Sequence, residues 1–86
     1  MRKLHEIARE IKSDWKKVYF GAVPYLNAMS TLENISDDYG HDSGKSIVLY
    51  FLSNASSWKG AKAREIKAEL NKMCKIKFIF KNKGKV

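Results

Sequence analysis

The chain has 86 residues, 44% of them hydrophobic and 30% charged, with 17 Lys and Arg against 9 Asp and Glu for a formal net charge of +8. That length allows one domain with a small core and leaves no room for a separate cofactor domain, and the composition is not that of a disordered chain. No apolar run nears the roughly 18 residues of a membrane span, the charged start Met1-Arg2-Lys3-Leu4-His5-Glu6 is unlike a secretory signal, and the lone Cys74 precludes an internal disulfide, so the expectation is a cytoplasmic protein without membrane contact.

The first predicted helix carries Leu4, Ile7, Ala8, Ile11, Trp15 and Val18 at helical spacing, within an arc of about 100°, and is expected to end near Gly21. Arg2, Arg9, Lys12 and Lys16 fall on one flank of that arc, and Glu6, Glu10 and Asp14 on the other. Pro24 suits the first turn of a second helix, where its missing N–H costs nothing; Tyr25, Leu26, Met29 and Leu32 continue it towards Asn34. Residues 36–42 read as an acidic loop. Asp42 or Ser43 is placed to cap a third helix, whose run Ile47-Val48-Leu49-Tyr50-Phe51-Leu52 is apolar on every face and predicts a central, buried element. Periodicity does not separate that run from a buried strand. Residues 56–60 form a turn, and a fourth helix follows with Ala63, Ile66, Leu70 and Met73 on one face and Arg64 and Lys67 near the opposite one. From Lys75 to Lys81 lysines and apolar residues nearly alternate, a strand-like period, and residues 82–86 read as disordered.

The fold expected is therefore an all-α, compact bundle of about four helices over residues 1–73, with a basic tail at residues 74–86. The alternative is an α+β fold in which residues 47–52 pair with residues 76–80. Residues 1–73 sum to +3 and the last 13 residues supply +5, so basicity is concentrated in the tail.

Several motifs invite chemical readings. Gly40-His41-Asp42-Ser43-Gly44-Lys45-Ser46 resembles part of a phosphate-binding P-loop, but only three residues separate its glycines where the motif needs four, and an acidic turn precedes it rather than a strand. Asp37, Asp38, His41 and Asp42 gather three carboxylates and an imidazole, with neither EF-hand nor zinc spacing; a solvated loop is the simpler account. His5 and His41 have no recognisable nucleophile beside them. Cys74, between Lys72 and Lys75, reads as an ordinary thiol at a helix end. Trp15 belongs to the apolar stripe, whereas Trp58 lies in a turn and either folds back over the helix ends or offers a contact surface. Residues 50–70 have a helix–turn–helix outline, but the turn at 54–60 exceeds the three to four residues of that motif.

The runs Glu6-Ile7-Ala8-Arg9-Glu10-Ile11-Lys12-Ser13-Asp14-Trp15 and Gly21-Ala22-Val23-Pro24-Tyr25-Leu26-Asn27-Ala28-Met29, with Asp42-Ser43-Gly44-Lys45-Ser46-Ile47-Val48-Leu49-Tyr50-Phe51-Leu52-Ser53-Asn54-Ala55, Trp58-Lys59-Gly60 and Ala63-Arg64-Glu65-Ile66-Lys67-Ala68-Glu69-Leu70, resemble small proteins encoded by bacterial phages and mobile elements. The resemblance covers about residues 4–73. It implies a setting, assigns no site residue, and makes the part after Met73 an appendage.

The leading functional expectation is a non-enzymatic accessory protein that contacts nucleic acid through Arg2, Arg9, Lys12, Lys16, Arg64, Lys67, Lys75 and Lys77. The other is a protein-interaction module, an inhibitor or adaptor, using an exposed apolar surface for which Trp58, Tyr39 and Phe78 are candidates. No catalytic residue, metal ligand or cofactor is expected, and the sequence leaves the oligomeric state open.

Overall fold

The structure, a computed structural model, describes the backbone of residues 2–83 and the side chains of residues 2–75. Helix α1 spans Leu4–Asp14 and buries Leu4, Ile7, Ala8 and Ile11. Its first turn is held by the Glu6 carboxylate, which accepts the Lys3 backbone N–H at 3.1 Å, one half of a capping box. Leu4 and His5 also donate their N–H groups to the carbonyls of Glu33 and Leu32, so the orphan donors at this helix start are met by the chain that follows the second helix.

Helix α1 stops well short of Gly21. Trp15 leaves helical geometry (φ −91°, ψ 89°) and turns inwards, where its ring stacks on Trp58 at 5.7 Å and meets Phe51 edge-on at 6.2 Å. Packing of the largest side chain thus overrides the helical periodicity that extends to Val18. A 3-10 turn at Phe20–Ala22 leads directly into α2, Val23–Met29, with Pro24 in its first turn as expected. The chain after α2 returns beside the start of α1, so the two helices run antiparallel.

The expected acidic loop contains a two-residue hairpin. Strands β1 (Asp38–Tyr39) and β2 (Asp42–Ser43) pair antiparallel, with Asp38 opposite Ser43 and Tyr39 opposite Asp42. The connecting pair is Gly40-His41, and Gly40 has φ +62°, a conformation open to glycine at the first position of a type II′ turn. The all-α expectation is corrected to this extent: the protein is mostly helical and carries one minimal β-ribbon.

Helix α3, Gly44–Ser53, settles residues 47–52 as helix and removes the strand pairing with residues 76–80. Ser43 rather than Asp42 is the cap, its Oγ accepting the Ser46 N–H at 3.1 Å. The expectation of a central helix buried on every face is not met. Ile47, Val48 and Phe51 are buried, but Leu49 and Tyr50 are 43% and 48% exposed. The reason is topological: the helices pack in the cyclic order α1–α2–α3–α4–α1, so each has two principal neighbours and none is surrounded.

Helix α4 runs Ala61–Lys83. It begins after Gly60, whose φ of +113° favours glycine, with the Arg64 N–H donating to the Gly60 carbonyl. It buries Ala63, Ile66, Leu70, Met73 and Cys74. The strand-like alternation after Lys75 is corrected to helix. No Gly or Pro interrupts residues 61–83, and propagation of an existing helix adds a hydrogen bond per residue without a new nucleus. Of the residues expected to be disordered, 82 and 83 belong to α4, and 84–86 lie outside the described residues.

Candidate nucleic-acid interface

Helix α1 is divided electrostatically, and its two flanks meet different neighbours. The acidic flank faces α4. Glu10 binds Arg2 at 2.7 Å and Lys62 at 3.6 Å, and Asp14 accepts the indole N–H of Trp58 at 2.9 Å. Arg2 crosses to α4, where its Nε and Nη2 donate to the two carboxylate oxygens of Glu69 at 3.1 and 2.6 Å. These hydrogen bonds, Glu69 first and Glu10 second, raise the guanidinium pKa, and Arg2 in turn holds the Glu10 carboxyl below its ordinary value. Arg2 is therefore a half-exposed clamp between α1 and α4, with its guanidinium already paired.

The basic flank faces α2. His5, Arg9 and Lys12 line a depression of about 250 Å³ together with Ser30 at the end of α2. Lys16 follows two residues after the end of α1, and Arg9, Lys12 and Lys16 are exposed. Helix α2 contains no charged side chain, and between residues 15 and 32 the only charges are Lys16 and Lys17. Among the described residues, none of Arg9, Lys12, Lys16 or Lys17 takes part in an ion pair. Of the nine carboxylates, seven bind a side chain or backbone N–H elsewhere: Glu6, Glu10, Asp14, Glu33, Asp37, Glu65 and Glu69. The other two, Asp38 and Asp42, are exposed on the hairpin.

A second basic group gathers at the start of α4. Lys59, Arg64 and Lys67 line a depression of about 310 Å³ with Trp58 and Gly60. Arg64 is exposed, but Lys67 is committed to structure: its Nζ donates to the Trp58 carbonyl at 2.7 Å and sits 5.8 Å from the centre of the indole ring. Burial, and secondarily the charge of Lys59, lowers its pKa. Lys67 thus caps the turn beneath it. Lys75 is exposed; the side chains of Lys77 and Phe78 lie outside the described residues. The two basic groups line separate depressions with no residue in common.

The remaining candidates resolve locally. The Gly-Lys-Ser run does begin a helix, yet its three N–H groups are taken: Gly44 donates to Asp37 O at 2.6 Å, Lys45 to Ile35 O at 2.8 Å and Ser46 to Ser43 Oγ at 3.1 Å. In the acidic loop, Asp37 turns back to accept the N–H groups of Asn34 and Glu33, which hold its carboxyl below the usual range. Among the described residues no three His, Cys, Asp or Glu side chains converge as metal ligands would. Cys74 is buried, and desolvation pushes its thiol pKa up. Trp58 is only 2% exposed and is removed as a contact residue, whereas Tyr39 remains 46% exposed on the hairpin.

One surface was not anticipated. Tyr19 and Phe20 are exposed, with ring centroids 4.8 Å apart, and exposed Val23 lies close by in sequence. Exposed Tyr50 on α3 places its ring 5.3 Å from that of Tyr25 on α2. The available signal was three aromatics within seven residues directly after Lys16-Lys17, on a stretch with no other charge. Comparison with protein-family models, curated proteins and solved structures gives no match.

Proposed function

We propose that the chain is a small non-enzymatic accessory protein, of the phage or mobile-element type that its sequence resembles, which contacts nucleic acid through Arg9, Lys12 and Lys16. The observation that carries this reading is the division of α1: Glu10 and Asp14 are engaged with Lys62 and Trp58 at the start of α4, while Arg9 and Lys12 border an α2 without charge. Exposed cations that take part in no ion pair among the described residues are suited to phosphate oxygens, and the +8 balance adds long-range attraction to a polyanion. Arg64, Lys59 and Lys75 are auxiliary cations in this reading.

The test is fluorescence anisotropy with labelled DNA and RNA across a salt series. The combined variant Arg9→Gln, Lys12→Gln, Lys16→Gln is expected to weaken binding and to reduce the slope of log K against log salt by about 2–3, the contribution of three phosphate contacts. Absence of binding to any duplex or single strand at low salt, or binding indifferent to salt, overturns the proposal. The second reading, a protein-interaction module, draws on the exposed Tyr19, Phe20 and Tyr50. It predicts a partner whose capture survives the triple substitution and is lost with Phe20→Ala.

A further inference from the structure

The aromatic surface is built rather than incidental. Gly21 lets the Tyr19 ring and α3 approach: a Cβ there would lie 2.5 Å from Tyr19 Cε2 and 2.8 Å from Asn54 Oδ1. Asn54 is itself tied to α3, donating from Nδ2 to the Tyr50 carbonyl at 2.9 Å. The Tyr19 ring is therefore seated over the backbone next to α3, and Phe20, 80% exposed, leans on it at an interplanar angle of 55°.

The charges around this surface select its occupant. Lys16 and Lys17 are the only charged side chains between residues 15 and 32, and residues 46–58 of α3 and its exit carry none. A complementary partner must bring negative charge together with flat apolar faces. Single-stranded nucleic acid has both. In a duplex the base faces are stacked inside and present only edges and phosphates. Arg9 and Lys12 lie on α1, Lys16 and Lys17 follow directly after its end at Asp14, and Phe20 lies four residues beyond Lys16, within about 14 Å of chain.

We infer that Tyr19 and Phe20 form a stacking platform for unpaired bases beside the phosphate-contacting cations Arg9, Lys12 and Lys16, making single-stranded nucleic acid the preferred ligand. This inference deepens the proposed nucleic-acid reading and rests on it. The experiment uses the full chain with fluorescein-labelled oligothymidylate, a duplex of the same length, and inorganic polyphosphate as a base-free competitor. Oligothymidylate is expected to bind more tightly than duplex and to resist competition by polyphosphate. Phe20→Ala should weaken oligothymidylate binding about five- to a hundred-fold, the range for loss of one base-stacking ring, while duplex binding stays unchanged and Phe20→Trp restores affinity. Bromodeoxyuridine in the oligonucleotide should photocrosslink to the peptide holding Tyr19 and Phe20. Since Phe20 is largely exposed, its replacement leaves the core intact. If Phe20→Ala leaves oligothymidylate affinity unchanged while the triple variant of Arg9, Lys12 and Lys16 abolishes it, the platform is refuted and the nucleic-acid reading stands. If no nucleic-acid probe binds, both fall. A protein partner that depends on Phe20, with oligothymidylate affinity indifferent to it, reassigns the surface to protein contact and also refutes the platform.

Discussion

Gly44 shows how a single position without a side chain fixes the start of an element. A Cβ at Gly44 would stand 2.7 Å from the Asn34 carbonyl oxygen and 3.0 Å from both Cα and O of Ile35, all backbone atoms that cannot rotate away. Gly44→Ala is therefore expected to destabilise the fold by about 1–3 kcal/mol, the cost of overpacking a tight site. In thermal unfolding that is a fall of several degrees per kcal/mol, roughly 4–8 °C for a domain this small. Trp58 makes the opposite case, a large ring whose turn context is compatible with either a contact surface or a place over the helix ends, and which proves to be core. It stacks on Trp15 with an interplanar angle of 12°, meets Phe51 edge-on and donates to Asp14. Trp58→Ala should cost about 3–5 kcal/mol in denaturant unfolding, and a loss within 0.5 kcal/mol would mark the ring as superficial after all.

At the scale of elements, the helices were legible where the apolar spacing was clean and where capping chemistry was local. Leu4, Ile7, Ala8 and Ile11 on α1, and Ala63, Ile66, Leu70 and Met73 on α4, are buried as their periodicity predicts. Pro24 and Ser43 mark the starts of α2 and α3. What periodicity does not carry is the partner of each face. Whether Ile47-Val48-Leu49-Tyr50-Phe51-Leu52 is enclosed depends on how many helices surround it, and the cyclic order leaves Leu49 and Tyr50 open. The same holds for the basic residues. On a helical wheel Arg2 and Arg9 share a flank, but Arg2 lies at the end nearest Glu69 and is drawn to it, a contact across 67 positions that no local pattern encodes. The Arg2 clamp predicts a modest effect. Glu69→Gln should cost no more than about 1 kcal/mol, shrinking with added salt, since the pair is partly solvated. A denaturant series at low and high ionic strength measures it.

For the whole molecule, charge and stability are linked through pH. Glu10 and Asp37 both have carboxyl pKa values held below the ordinary range, by Arg2 and by backbone N–H groups respectively. A depressed folded-state pKa contributes stability that is present above the unfolded value of about 4 and is lost as pH falls through the lower folded value. Protonating the carboxylates also strips the negative charge that offsets 17 cations, so self-repulsion acts in the same direction. The urea midpoint should fall between pH 6 and about pH 3. The fall should be smaller in the double variant Glu10→Gln, Asp37→Ala, whose stability at neutral pH is already reduced. A midpoint unchanged down to pH 3 would show that these contacts do not couple to folding.

The hairpin offers a different kind of opportunity. At Gly40 there is nothing within 4 Å of where a Cβ would stand, and Tyr39, Gly40, His41 and Asp42 are all exposed. Extra chain inserted between Gly40 and His41 would lengthen a closed loop at an entropic cost that grows only slowly with its length. That tip is accordingly a port at which a peptide tag or a dye-bearing segment can be grafted internally, leaving both chain ends untouched. A label there would sit apart in sequence from Arg9, Lys12 and Lys16, and so would leave the residues of the proposed nucleic-acid contact unaltered in a binding experiment.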